Sequence, residues 1–287
     1  MRVSASDELT KLCVRDLLTA FKLGNQAQFL AKWPASRFAS MVRAFDDRVG
    51  TEGLQAAGEF ILSHFAGSVA VVGANLVPRT GPTIVASNHP GMTDAMALWT
   101  AMKRDDLKII AGERDLLQQL PNIRQHLILI QPGGSTAFRA ALSHLKAGGC
   151  LLTFPAGHIE PDLAVRSGAL ESLTSWSNSI VLLGQRVPKT VIIPAFVKGV
   201  ISPAATRCSL LRYMSDQKDR DWAAATLQIL LPAFRRVNVS VQFGAPVKHE
   251  LVAVQQRMRE LICGEGVGWS LGTDSNDRPK PELISSG

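Results

Sequence analysis

Residues 83–99 read TIVASNHPGMTDAMALW. Thr83 to Ala86 is apolar and β-branched and predicts a strand, Asn88-His89-Pro90-Gly91 carries turn chemistry, and a helical pattern begins near Asp94. A strand that turns within four residues into a helix is the building unit of an α/β domain.

The pattern repeats outward from this stretch. Strands are predicted at Val69–Val72, Thr83–Ala86, Leu107–Ile110, Leu127–Ile130, Cys150–Phe154, Thr190–Val197 and Val237–Phe243. Helical patterns lie between several of them, at Asp94–Met102, Ser135–Lys146, Ala164–Ser175 and Trp222–Leu231. Such alternation predicts an α/β fold, a mostly parallel sheet flanked by helices, with a helical N-terminal segment. Residues 1–65 form that segment, with breaks expected at Gly24, Pro34 and Gly50-Thr51. Residues 66–265 form the α/β domain, and 266–287, ending GTDSNDRPKPELISSG, reads as a disordered tail.

With 287 residues, 46% hydrophobic and 19% charged, the chain buries a large core and is globular. The cysteines at 13, 150, 208 and 263 have neither disulfide nor zinc spacing, which favours a reducing cytoplasm. Asp7, Glu8, Lys11, Arg15 and Asp16 interrupt the N-terminus where a signal peptide needs an apolar core. Residues 60–78 lack Asp, Glu, Lys and Arg, but SVAVVGANLV in their second half favours a helix end followed by a strand over a membrane span.

The net charge is +7. From Lys198 to Arg259 ten Lys and Arg stand against four Asp and Glu, which suits an anionic membrane surface or a phosphorylated substrate. Nucleic acid is not an expected partner, because one tyrosine and no basic–aromatic interleaving leave little for bases to stack on. The expected location is the cytoplasmic side of a membrane, peripherally bound.

In an open α/β sheet, ligands bind beyond the carboxyl ends of the strands. His89 follows one predicted strand and FPAGHIEPD, Phe154 to Asp162, follows another, so both face one crevice. His89 can serve as general base if its tautomer is fixed, and Asp94 is placed to accept a hydrogen bond from Nδ1. A lone H-x₄-D also suits a purely structural pair. QPGGSTAF, residues 131–138, reads as a loop and an N-cap at Ser135 in preference to an anion cradle. His64, His126, His144 and His249 read as structural.

Five segments in order, ASNHPGMTD, FPAGHIEPD, RSGAL (166–170), VIIPAFVKG (191–199) and VQFGAPV (241–247), resemble the glycerolipid (lysophospholipid) acyltransferase family over about residues 65–262. The resemblance implies an α/β fold and transfer of a fatty acyl group from an acyl-CoA or acyl carrier protein thioester to a hydroxyl of a lipid acceptor. His89 and Asp94 would be the catalytic dyad, and no cofactor beyond the acyl co-substrate is expected. Acyl transfer needs a base for the hydroxyl proton and donors for the developing oxyanion, for which backbone N–H groups around Gly157 are candidates. No G-x-S-x-G elbow points to a serine hydrolase. The third motif departs from the family's F-P-E-G-T-R-S: Ala156 replaces the Glu, and His158-Ile159 replaces Thr-Arg. The second-motif arginine is absent, with Gln131-Pro132 in its place. His158, Glu160, Arg139 and Arg166 are therefore the candidates for a different acceptor pocket. Two other readings stand beside transfer: a catalytically silent acyl-lipid-binding homologue, and thioesterase-like hydrolysis in which water replaces the acceptor.

Overall fold

A computed structural model describes residues 5–22, 24, 26, 28–131, 135–214, 216–264 and 282–284. Its strands are β1 (Ala66–Val72), β2 (Thr83–Ser87), β3 (Leu107–Gly112), β4 (Leu127–Ile130), β5 (Cys150–Thr153), β6 (Val191–Lys198), β7 (Val237–Phe243) and β8 (Glu282–Ile284). They form one sheet in the order β4-β3-β5-β2-β6-β7-β1-β8. Every pairing from β4 to β6 is parallel, β7 runs antiparallel to β6, and β1 runs parallel to β7. The sheet is thus mostly parallel, as the alternating pattern predicts.

Period-two alternation along the central strands divides the core. Val85 of β2, Leu152 of β5 and Ile193, Ala195 and Val197 of β6 enter one apolar cluster. That cluster includes residues of α1 (Ala5–Ala20), α2 (Gln28–Phe65) and α3 (Met92–Met102). Ile84, Leu151, Ile192 and Phe196 point the other way. They pack with the helices Ser135–Lys146, Ser179–Arg186 and Leu251–Cys263. Both faces are covered, which explains why the strands read as continuous apolar runs.

Several boundaries differ from expectation. Pro34 does not end a helix: α2 runs through it. The missing N–H is tolerated because Ala31, Ala35 and Phe38 around it are buried. The break expected at Gly50-Thr51 falls at Gly53, whose φ of 89° and ψ of 173° are not helical. Ala164–Ser175 is not one helix; residues 163–165 form a turn, 166–168 are irregular, and a short helix, Ala169–Ser172, leads into a 3₁₀ turn, Leu173–Ser175. The reason is Asp162, whose carboxylate binds backbone N–H groups of another strand end and holds the chain out of helical geometry. Helix α2 ends at Phe65 and β1 starts at Ala66, so residues 60–78 are a helix end and a strand. Among the described residues no helix is long and apolar enough to cross a membrane.

Within 266–287, expected to be disordered, Glu282–Ile284 pairs antiparallel with Val69–Val71 of β1. An unpaired strand edge invites pairing, and β8 covers the edge of β1. The remainder of that tail lies outside the described residues, as do Pro132, Gly133 and Gly134 of the loop before the helix beginning at Ser135.

Gly199, just past β6, has φ +78°, and a Cβ built there would run into the carbonyl oxygen of Asn238 on β7. Its N–H also donates 2.8 Å to Asp162. Gly199→Ala should lower stability by about 2 kcal/mol or more, from left-handed strain plus a backbone clash. Urea unfolding measures this, and an unchanged midpoint would show that the close approach of β6 and β7 is not as described.

Candidate active site

The parallel strands β2, β5 and β6 end at one edge of the sheet. There the ladder stops, and buried polar side chains take over its hydrogen bonds. Asn88, following β2, continues the pairing with β6: its Nδ2 donates to the Val197 carbonyl and its Oδ1 accepts the Val197 N–H, both at 2.8 Å. His89 comes next, at the mouth of this edge.

Asp94 lies in the first turn of α3 and is fully buried. Its Oδ2 accepts the His89 Nδ1–H at 2.8 Å and the Gly91 N–H at 3.1 Å, and its Oδ1 accepts the Ala95 N–H. A carboxylate that bonds two N–H groups of its own helix start is favoured there and cannot rotate away from the imidazole. Because Asp94 accepts at Nδ1, the neutral imidazole carries its proton there and leaves Nε2 as acceptor. Among the described residues nothing bonds Nε2, and 27% of the side chain is exposed. The ring stacks on Phe154, with centroids 4.3 Å apart. Burial alone would lower the His89 pKa, but the charge and hydrogen bond of Asp94, with the charge of Glu160, raise it above the usual 6.5.

The structure thus brings His89 and Asp94 together and places the loop after β5 beside them. The other predicted residues have mixed placements. Gly157 is exposed with φ +70°, but its own N–H donates 3.0 Å to the Phe154 carbonyl and is not free to meet a ligand. The N–H groups of His158 and Ile159, which follow it, have no acceptor among the described residues. His158 is exposed, and its Nδ1 bonds the Ala156 carbonyl at 2.8 Å. Glu160 is only 1% exposed and does not face an open pocket: its Oε2 accepts the His89 N–H at 2.9 Å. Its Oε1 lies 3.0 Å from Trp176 Nε1 and 2.8 Å from Ser172 Oγ.

Arg166 is half-buried and pairs with Asp221 of the helix Gln217–Leu230 at 2.6 Å, so its charge is already matched. Arg139 is exposed on Ser135–Lys146. That helix connects β4 to β5, the strand beside β2, and its Ala137, Ala141 and Leu145 join Ile84 and Ala86 of β2 in one apolar cluster. Asp162 was missed as a working residue. Fully buried, it accepts N–H groups from Ala164 and Gly199 on Oδ1 and from Val200 and Ile201 on Oδ2, all at 2.8 to 2.9 Å. It sits inside FPAGHIEPD, but nothing in the string says that a carboxylate there reaches β6. Each of the four histidines read as structural bonds a backbone carbonyl: His64 to Phe60, His126 to Leu107, His144 to Asp106 and Cys150, His249 to Thr190. Among the described residues no group of three His, Cys, Asp or Glu side chains is placed to hold a metal ion.

No protein-family model and no curated protein matches the chain. Among solved structures, one that it resembles is the 1-acyl-sn-glycerophosphate (LPA) acyltransferase PlsC from Thermotoga maritima, at 16% identity and a TM-score of 0.44, covering 93% of this chain and 95% of that one. At that level of similarity the chemistry has to be argued from this chain's own residues.

The His89–Asp94 pair has a consequence in solution. A raised pKa means that the imidazole holds its second proton to higher pH, so its titration midpoint should lie above 6.5. A base works only when deprotonated, and the acid limb of any His89-dependent activity should fall at that same raised midpoint. Asp94→Asn should move the midpoint down. NMR titration of the histidine ring protons checks both statements; an unshifted midpoint in wild type would contradict the hydrogen-bonded geometry.

Proposed function

We propose that this chain is an O-acyltransferase, moving a fatty acyl group from an acyl-CoA or acyl carrier protein thioester to a hydroxyl of a lipid. The observation that supports it is an imidazole locked at Nδ1 by a buried carboxylate, with Nε2 unbonded at the carboxyl edge of a parallel sheet. Nε2 takes the hydroxyl proton as the alcohol oxygen bonds to the thioester carbonyl carbon. The C–S bond then breaks, and the thiolate leaves with that proton. Asp94 stabilises the imidazolium in between. The unbonded N–H groups of His158 and Ile159, and not that of Gly157, are the candidates to meet the oxyanion, since the neighbouring Glu160 N–H already binds the His89 carbonyl.

The acceptor follows from what lines this loop. Ile159 is 43% exposed and Leu163 is also exposed, so hydrocarbon stands where a phosphate would need a cation. Arg166 is committed to Asp221. A lipid alcohol with an uncharged head group fits this lining best, and a phosphate-bearing acceptor would have to be met by the exposed Arg139.

Purified protein with labelled acyl-CoA and a lipid extract tests the reading. Acylated lipid is expected, with monoacylglycerol or other uncharged alcohols outcompeting lysophosphatidic acid. His89→Ala should cost about 10² to 10⁴ in turnover with melting unchanged. Near-normal turnover in that variant would overturn the mechanism. Free fatty acid as the sole product would mean hydrolysis, and acyl-CoA binding without turnover would mean a silent binding protein.

A peripheral membrane location is part of the same proposal. Phe29, Trp33 and Arg37 stand four residues apart on the first turns of α2; Phe29 is 87% and Trp33 68% exposed, and the Arg37 guanidinium lies 5.0 Å over the Trp33 ring. Aromatic rings beside a cation suit the interface of an anionic bilayer. Binding to anionic vesicles should weaken with salt, and Phe29→Ser with Trp33→Ser should weaken it further in a sedimentation assay. Unchanged binding in the double variant would place the contact on another face.

A further inference from the structure

Glu160 occupies a place that the dyad alone does not explain. Its backbone N–H donates 2.8 Å to the His89 carbonyl, and its Oε2 accepts the His89 N–H at 2.9 Å, so one residue bonds the His89 backbone on both sides. The carboxylate is held from behind: the Trp176 indole N–H donates to Oε1, and Ser172 Oγ shares its proton between Oε1 and the Ala169 carbonyl. No Lys or Arg pairs with it among the described residues. A buried carboxylate held by neutral donors and paired with no Lys or Arg among the described residues is costly to keep for packing alone.

We infer that Glu160 is the positioning residue of the His89–Asp94 dyad: it clamps the His89 backbone to the loop after β5 and offers the ring a second buried carboxylate. Asp94 fixes the ring through Nδ1, Phe154 supports its face, and Glu160 fixes the backbone from which it projects. Asp94 thus bonds the ring itself while Glu160 bonds the backbone behind it, and the negative charge of each favours the imidazolium that forms when Nε2 takes a proton. The clamp also ties the end of that loop, at Glu160, to the backbone of His89. The kinetic part of this inference rests on the acyl-transfer reading; the titration part does not.

The test uses the full chain with ring-labelled histidine. Glu160→Gln keeps the size of the side chain and removes its charge. The His89 midpoint should move to lower pH, because a negative neighbour of the imidazolium is gone. In acyl transfer, kcat should fall by about tenfold or more, as small displacements of a base do, with KM within about twofold. A Glu160 that only packs the loop would leave the midpoint unmoved, and that result in a variant melting close to wild type overturns the inference. If Glu160→Gln fails to fold, wild type decides: the His89 amide proton, bonded to a buried carboxylate, should resonate well downfield and exchange slowly in D₂O. Exchange at the rate of an open loop overturns the clamp. A midpoint that responds to Glu160→Gln in a protein that transfers no acyl group sustains the clamp and sinks the acyl-transfer reading. A normal kcat in Glu160→Gln, with His89→Ala inactive, does the reverse.

Discussion

Where β2, β5 and β6 stop, their backbone N–H groups lose the partners that the sheet provided, and the molecule meets that demand with buried side-chain acceptors. Asn88 serves Val197, Asp94 serves Gly91 and Ala95, Glu160 serves His89, and Asp162 serves Ala164, Gly199, Val200 and Ile201. Unpaired buried donors cost on the order of 1–3 kcal/mol each, so these acceptors are as necessary to the fold as the apolar core beneath them. The carboxylates in turn need the donors, since a buried anion without them is worse still. The same exchange that closes the sheet edge also sets the geometry of His89.

That exchange makes the edge stiff in a directed way. Asp162 ties the loop after β5 to the end of β6, Glu160 ties it to the turn after β2, and Asn88 ties β2 to β6. Three strand ends are therefore cross-linked pairwise around one imidazole. Only the stretch from Ala156 to Ile159 is left without such ties to a neighbouring strand end, and it carries the exposed Gly157, His158 and Ile159. A rigid frame with one open loop is what a site needs if the base must stay fixed while loop residues choose the ligand.

The frame was partly legible in the sequence. The seven strands β1 to β7 stand out as apolar runs because both faces of the sheet are covered, and the His89–Asp94 pair follows from a strand, a turn and a helix start within one stretch. Long-range satisfaction of backbone donors was not legible. Glu160, Asp162, Arg139 and Arg166 look alike in a string as charged residues near a motif, yet two of the four are buried acceptors, one is paired with Asp221, and one is exposed on the helix between β4 and β5. Which of these a charged residue becomes depends on where other strands end, and spacing along the chain does not carry that. Pro34 misled for a related reason: the loss of one helix hydrogen bond is a local cost, and burial of its neighbours outweighs it. The three-residue strand β8 was invisible because its partner β1 lies about two hundred residues away.

The departure of the loop from the pattern it resembles gains a physical meaning from this frame. The pattern has a carboxylate directly before its glycine, where this chain has the half-buried Ala156, and this chain's carboxylate comes four residues later, at Glu160. At 156 an acid would stand beside the glycine turn, near the mouth of the site. At 160 the acid turns inward and binds the His89 N–H, Trp176 and Ser172, and so supports His89 and not the loop surface. The loop surface left behind is Ala156, Gly157, His158 and Ile159, with no carboxylate and no Lys or Arg. A loop whose acid is committed to internal support has no carboxylate left to orient a polar group by charge, and what it presents outward is shape, apolar surface and backbone N–H groups.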